Sequence, residues 1–317
     1  MSRRALIFGI GGQDGSYLAE LLLSRGYVVH GTHRRSSVDN LGRIAGIRDR
    51  VTLHRADLAD PLSLQRAIQK SEPDEVYNLA DQDHVGWSHD TPGYSSAITY
   101  GAVGTLLELL KGRERIRFFQ PISSTVFGDN PPAPQHEETP LAPASPYACA
   151  KAAAWLLCKH YRREHGLHVC CGVMFNHDSP RRGPDYLLQR IARWAADWKR
   201  GSGRPLPLWS LAGSVDIGWA PEFMLAAWEM MQLDRPDDFV IATGKASLIR
   251  DIVQAAMFRA GIEGVPEDYL PVQEATLPIP SPAADIIKAK VAFGFAPETT
   301  AMLAVSRLVK HFLEGNR

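Results

Sequence analysis

The chain has 317 residues, 45% of them hydrophobic, and 35 Lys plus Arg balance 35 Asp plus Glu. Zero formal net charge lacks the electrostatic footprint of a nucleic-acid or membrane-surface binder, and no apolar run approaches the ~20 residues of a membrane span. This length can bury a large core, as one big domain or a domain with a smaller lobe.

Arg4-Ala5-Leu6-Ile7-Phe8 is an apolar run of strand length. It feeds into Gly9-Ile10-Gly11-Gly12-Gln13-Asp14-Gly15, after which Tyr17, Leu18, Leu21 and Leu22 recur at helical spacing until Gly26. Strand, glycine loop and helix in that order form the context of a dinucleotide site: a tight turn, close backbone approach to a pyrophosphate, and a helix N-terminus facing its charge. The spacing is G-x-x-G-x-x-G at 9, 12 and 15 rather than G-x-G-x-x-G. A strand beginning this early leaves no room for a signal peptide, so a cytoplasmic location is expected.

Residues 27–31 read as a second strand, ending in Thr32-His33-Arg34-Arg35-Ser36-Ser37. An NAD enzyme places an acid there on the ribose hydroxyl. Two arginines and two hydroxyls suit a 2′-phosphate instead, so NADP is preferred to NAD. Residues 51–54 give a third strand leading to Asp57-Leu58, 75–80 a fourth, and 116–119 a fifth ending at Ser123-Ser124-Thr125. Strands alternating with helical patterns predict an α/β fold, a doubly wound parallel (Rossmann) sheet over residues 1–175. Residues 176–317 are expected to form mainly a smaller substrate-binding lobe, with about 214–245 returning to the sheet. Cys149, Cys158, Cys170 and Cys171 lack metal-ligand spacing, and no metal is expected. Cys170 and Cys171 sit side by side on a predicted strand and are expected reduced in the core. The proline-rich stretches at 130–134 and 278–282 read as loops over the site.

In Ser145-Pro146-Tyr147-Ala148-Cys149-Ala150-Lys151, Pro146 sets up a helix start. Tyr147 and Lys151 then share one helical face a turn apart. An ammonium beside a phenol favours the phenolate, so Lys151 is expected to lower the Tyr147 pKa and make it a general base.

The glycine loop, Asn78-Leu79-Ala80, the Ser-Ser-Thr strand end and Tyr147…Lys151 together resemble an extended short-chain dehydrogenase acting on nucleotide sugars. The segments 12–23, 30–37, 175–183 and 237–244 resemble the GDP-mannose 4,6-dehydratase family more closely. The resemblance spans about residues 3–260. It implies an NADP site lined by Gly9, Gly12, Gln13, Asp14, Gly15, Arg34, Arg35, Ser36, Asp57, Leu58, Leu79, Ala80, Tyr94, Lys151, His177 and Arg182. It also implies a GDP-linked sugar held near Asp83, Ser123, Tyr147 and Asn176. Tyr147 would take the 4-hydroxyl proton, Lys151 would hold the nicotinamide ribose, and Ser123 matches a family threonine that bonds the same oxygen.

Departures matter as much. The family carries a glutamate, the base for elimination, where this chain has Thr125, and a hydroxyl cannot replace a carboxylate base near neutral pH. Asp83, Glu137 and Glu138 are the acids nearby in sequence that could substitute. Asp81, Asp83 and Trp87 replace smaller or neutral family residues beside the cofactor. The stretch 214–219 lacks the arginine that holds the sugar-nucleotide pyrophosphate, and a second family arginine corresponds to Ser281. Three functions stay open: a dehydratase using a relocated acid, a 4-epimerase or 4-oxidoreductase without dehydration, and a cofactor-holding homologue with little catalysis. A homodimer or homotetramer is expected, and Leu106, Leu109, Leu110 and the helix from about 147 to 165 are open between its face and simple packing on the sheet. Trp194, Trp198 and Trp228 are expected in the core, while Trp209 and Trp219 are open between core and ligand.

Overall fold

The structure is a computed structural model that describes residues 2–113, 115–129, 131–208, 210–270 and 284–315. Its strands are β1 (Arg4–Phe8), β2 (Val28–His33), β3 (Val51–Arg55), β4 (Glu75–Asn78), β5 (Arg117–Ser123), β6 (His168–Met174), β7 (Asn176–Asp178), β8 (Ser214–Val215), β9 (Ile217–Trp219), β10 (Asp238–Ile241) and β11 (Ser247–Leu248). The helices of the first half are α1 (Gln13–Ser24), α2 (Pro61–Ser71), α3 (Val85–Asp90), α4 (Pro92–Ser96), α5 (Ala102–Leu110) and α6 (Pro146–His165). Those of the second are α7 (Leu187–Lys199), α8 (Ala220–Met230), α9 (Ile249–Ala260), α10 (Ile287–Phe293) and α11 (Ala301–Leu313).

Seven strands make one parallel sheet in the order β10-β6-β5-β4-β1-β2-β3. The middle strands are buried on both faces, which is why they read as near-continuous apolar runs. One face packs Leu64, Leu106, Trp155 and their neighbours from α2, α5 and α6. The other packs Leu18, Leu22, Phe223 and Met230 from α1 and α8, with Ala289 of α10. A third core, built from α7, α9 and α11 around Ile191, Ile252 and Leu308, makes the smaller lobe.

Within residues 214–245 it is α8 and β10 that pack into the sheet domain, whereas β8 and β9 pair with β11 and β7 in two-stranded sheets. The strand expected over 75–80 stops at Asn78. Leu79 N still bonds Phe8 O (3.0 Å), and the chain then passes directly beneath Gly9. The strand expected over 27–31 runs two residues further, pairing to His33. Cys170 and Cys171 are buried and free on β6. Trp194 is buried, whereas Trp198 and Trp228 are only partly so.

Between a dimer face and packing on the sheet, packing claims two of the three leucines. Leu106 and Leu110 are buried against the sheet domain's own core, so they are not free for a partner. Leu156 of α6 and Tyr100 are large apolar side chains that stay exposed.

Candidate active site

A cleft of about 770 Å³ runs along the carboxyl ends of β1, β2, β4 and β5, where an open parallel sheet places its ligands. Gly9 makes its floor possible. It has φ +81°, and a Cβ there would lie 2.8 Å from Ala80 N. Gly15 has the same role one turn on, since its Cβ would meet Gly9 O at 2.3 Å. Helix α1 starts at Gln13 after Gly12, with no side chain capping it, so its first N–H groups face the cleft.

This end of the cleft is braced by a charge pair between distant segments. His177 Nε2 lies 3.0 Å from Asp14 Oδ2, and His177 Nδ1 lies 2.8 Å from Phe175 O. Burial opposes ionisation of Asp14, but the His177 imidazole and its hydrogen bond, with Arg182 and Gln13, hold the carboxyl down at about 2. Burial likewise works against the imidazolium of His177, and Asp14 more than offsets it, leaving His177 above its ordinary range. Ser179 Oγ donates to Gln13 Oε1 (2.8 Å), joining the same two segments. Arg43 adds a stitch, with Nε donating to Arg181 O (2.7 Å) and Nη1 to Gly11 O (3.2 Å).

At the other end, α6 presents Tyr147 and Lys151. Ser145 caps the helix by accepting from Ala148 N (3.1 Å), and Pro146 fills the first position, as the sequence predicts. Both side chains are buried, and Lys151 Nζ lies 5.7 Å from the centre of the Tyr147 ring. The ammonium is engaged elsewhere. It pairs with Asp81 Oδ2 at 2.7 Å and donates to Pro121 O at 2.8 Å. Thr99 Oγ1 donates to the other Asp81 oxygen at 2.5 Å.

Lys151 does pull the Tyr147 pKa down as expected, but the expectation of a net lowering is corrected, because burial outweighs it. Burial pushes the phenol up to about 12; Lys151 pulls against this, while Asp81 and Asp83 add to the rise and Ser123 opposes it. For Lys151 burial opposes the charge, yet Asp81 above all, then Tyr147, raise it above its ordinary range.

Ser123 faces Tyr147, and its Oγ accepts from Thr125 N (3.3 Å) and Thr125 Oγ1 (2.9 Å). Of the acids considered as substitutes for the missing glutamate, Asp83 lines the cleft, where Tyr186 Oη donates to it at 3.2 Å and Arg182 sits 3.5 Å away. Glu137 accepts instead from Val240 N of β10 (2.7 Å), and Glu138 is exposed; neither lines the cleft.

The cleft brings together Gly9, Gly12, Gln13, Asp14, Arg34, Ser36, Asp57, Leu58, Leu79, Ala80, Asp83, Tyr94, Ser123, Thr125, Tyr147, Lys151, Asn176, His177 and Arg182. Gly15 packs behind the loop, and Arg35 is exposed outside the lining. Trp87 is 67% exposed on α3, beside His84 and outside the cleft. Trp219 is partly buried against the lobe core, with the Arg307 guanidinium 5.4 Å from its ring centre. Trp209, Ser281 and the 278–282 loop lie outside the described residues. In the stretch without the family arginine, Asp216 is buried and accepts from Thr243 N (2.9 Å) and Gly244 N (2.8 Å), a structural role.

Sequence reasoning missed Arg43 and Tyr186, both in the lining. Neither belongs to a motif. The one signal for Arg43 is a further basic residue shortly after Arg34 and Arg35. Among the described residues no cluster of three or more His, Cys, Asp or Glu could hold a metal ion, and no helix is long and apolar enough to cross a membrane.

A parallel sheet with this glycine loop, and a Tyr-x-x-x-Lys helix across the cleft from it, defines an enzyme of the extended short-chain dehydrogenase type. Solved structures agree on the fold: a dTDP-glucose 4,6-dehydratase from Bacillus anthracis in complex with NAD has a TM-score of 0.85 at 20% identity, covering 99% of this chain and 97% of that one. The UDP-glucose 4-epimerase of Thermotoga maritima has a TM-score of 0.86 at 20% identity, covering 99% of each. The family model for GDP-mannose 4,6 dehydratase matches residues 6–305. A GDP-mannose 4,6-dehydratase of Yersinia enterocolitica is 42% identical, over 82% of this chain and 73% of that protein. GDP-mannose 4,6 dehydratase 2 of Arabidopsis thaliana is 38% identical, over 98% and 87%. The chain belongs to the GDP-mannose 4,6-dehydratase family.

Proposed function

We propose that this chain is an NADP-dependent enzyme that oxidises a nucleotide sugar, GDP-linked, at C4 through Tyr147, Lys151 and Ser123. Water elimination is inefficient because Thr125 replaces the family glutamate. The observation that carries this reading is the placing of Ser123, Tyr147 and Lys151 on one wall of a cleft whose floor is the glycine loop. That loop fits a dinucleotide: a Cβ at Gly9 would fill the space beside Ala80, and the uncapped start of α1 offers N–H groups to a phosphate. Arg34, Ser36 and Arg43 line the end beyond β2, where no carboxylate follows the strand directly, which suits a 2′-phosphate.

The nicotinamide would supply the hydride acceptor. Tyr147 takes the proton from the 4-hydroxyl, and Ser123 steadies the charge developing on that oxygen. Lys151 holds the ribose hydroxyls. A proton on C5 next to the resulting ketone is acidic, but the Thr125 hydroxyl is no base for it. The site thus supports reversible redox at C4, as in an epimerase or 4-reductase.

The purified protein is incubated with NADP and GDP-mannose, and 4-keto-6-deoxy product is followed in the unmodified chain and in Thr125→Glu. Product from the variant only is expected. Product from the unmodified chain at ordinary enzyme rates overturns the slow-elimination reading.

A further inference from the structure

Lys151 has two partners in the cleft wall, and neither is Tyr147. The closer is Asp81, at 2.7 Å, on the loop that follows β4. Side-chain exposure is 4% for Lys151 and 13% for Asp81, so solvent screens this pair little. Thr99 donates to the second carboxylate oxygen, and Pro121 O accepts from the ammonium, so both partners are held from a second direction. Such a pair behaves as a neutral dipole towards a third group. A lysine without a counter-ion would present Tyr147 with a full positive charge.

We propose that Asp81 is a positioning residue for the C4 redox step: by pairing with Lys151 it sets how readily Tyr147 gives up its proton, and so the pH range in which the site turns over. This rests on the reading of Tyr147 as the base. The groups that face the phenol are few. Lys151 lies on its own helix, Asp81 and Asp83 on the loop after β4, and Ser123 at the end of β5; Tyr186, from the segment before α7, faces it as well. Arg182 is beside Asp83 at 3.5 Å and half-answers that carboxylate. Among these, Asp81 is the one whose charge acts twice, by cancelling Lys151 and by repelling a phenolate. Burial and the two acids hold Tyr147 high, up to about 12, against the pull of Lys151. Replacing the carboxylate with an amide of the same shape removes both effects and keeps an oxygen for Thr99.

The test is a tyrosinate absorbance titration of the cofactor-free protein and of Asp81→Asn, each with a Tyr147→Phe counterpart subtracted to isolate one phenol. The Tyr147 transition is expected to move down by about one pH unit or more in Asp81→Asn, as for a phenol gaining an uncancelled cation. It is expected to stay high in Asp81→Glu. An unmoved transition in Asp81→Asn overturns the proposal. Should Asp81→Asn fail to fold, Asp81→Ala carries the same comparison.

A second measurement follows NADP reduction with GDP-mannose against pH. The acid limb should move down in Asp81→Asn by the same interval, giving a rate at pH 7 about ten-fold higher for each pH unit moved. A merely structural role would lower the rate at all pH values without displacing that limb, and such a result counts against the proposal. Reduction that persists in Tyr147→Phe sinks the reading of Tyr147 as base. The titration still decides what Asp81 does to the phenol.

Discussion

The two ends of the cleft are each braced by a charge pair between segments far apart in sequence, and the pairs differ in what can undo them. At the phosphate end the cation is His177, held above the ordinary imidazole range by Asp14; at the sugar end it is Lys151, held above the ordinary lysine range by Asp81. As pH rises, the first brace therefore loses its cation before the second does. Chemistry explains the division. On the proposed mechanism Lys151 must remain charged beside a phenol that transfers protons, whereas a tie between two loops has no such requirement.

Removing one half of the sugar-end brace should have the largest effect. Lys151→Met leaves Asp81 largely buried without its counter-ion, at a cost of about 3–5 kcal/mol, read as a lower denaturation midpoint. The double variant Lys151→Met/Asp81→Asn should recover most of that loss; no recovery would mean the pair is not a unit. Next in size is Gly15→Ala behind the phosphate end. Its methyl would overlap Gly9 O, so we expect about 1–3 kcal/mol of destabilisation and weakened NADP binding by calorimetry. Unchanged binding would show that the loop can yield.

The pH response separates the braces directly. His177 is raised when folded, so its contribution is full below the unfolded value of about 6.5 and fades as pH rises through the folded one. Asp14 is held at about 2, so its contribution is present above the unfolded value of about 3.9 and is lost as pH falls towards 2. Between roughly pH 4 and 6.5 the pair is complete. The melting temperature of the native chain should consequently fall more between pH 6 and 9 than that of Asp14→Asn, and equal slopes would refute the coupling. Lys151, also raised, keeps its contribution up to about pH 10.4 and loses it only above that. The smallest effect is expected at the cleft rim. Arg34→Ala removes one exposed charged contact and should cut the preference for NADP over NAD about ten-fold, measured as a ratio of dissociation constants.

Local chemistry is what the sequence made legible. The glycine loop, the Ser145-Pro146 helix start and the four-residue step from Tyr147 to Lys151 are all read within a few neighbours, and the structure has each of them. Strand ends were less legible: Leu79 and Ala80 look like strand, but the close approach of Gly9 turns the chain there. Long-range charge was hidden. Asp81 was visible as an acid beside the cofactor, yet its bond to Lys151 joins positions that only the sheet brings together, and Thr99 approaches from a third segment. Burial was hidden too, and it outweighs the downward pull of Lys151 on Tyr147. Glu137 looked available until β10, over a hundred positions later, claimed its carboxylate through Val240 N.

Thr125 is more than the absence of a glutamate. It hands two donors to the Ser123 oxygen, its backbone N–H and its hydroxyl, which leaves the Ser123 proton for the Tyr147 side. An ionised glutamate in its place has no proton to give. The polarity of the hydroxyl relay would then reverse, with Ser123 turning its hydrogen towards the new carboxylate and away from the sugar oxygen. On the proposed mechanism, Thr125→Glu is thus a trade in which the later step gains a catalyst and the earlier one loses a donor.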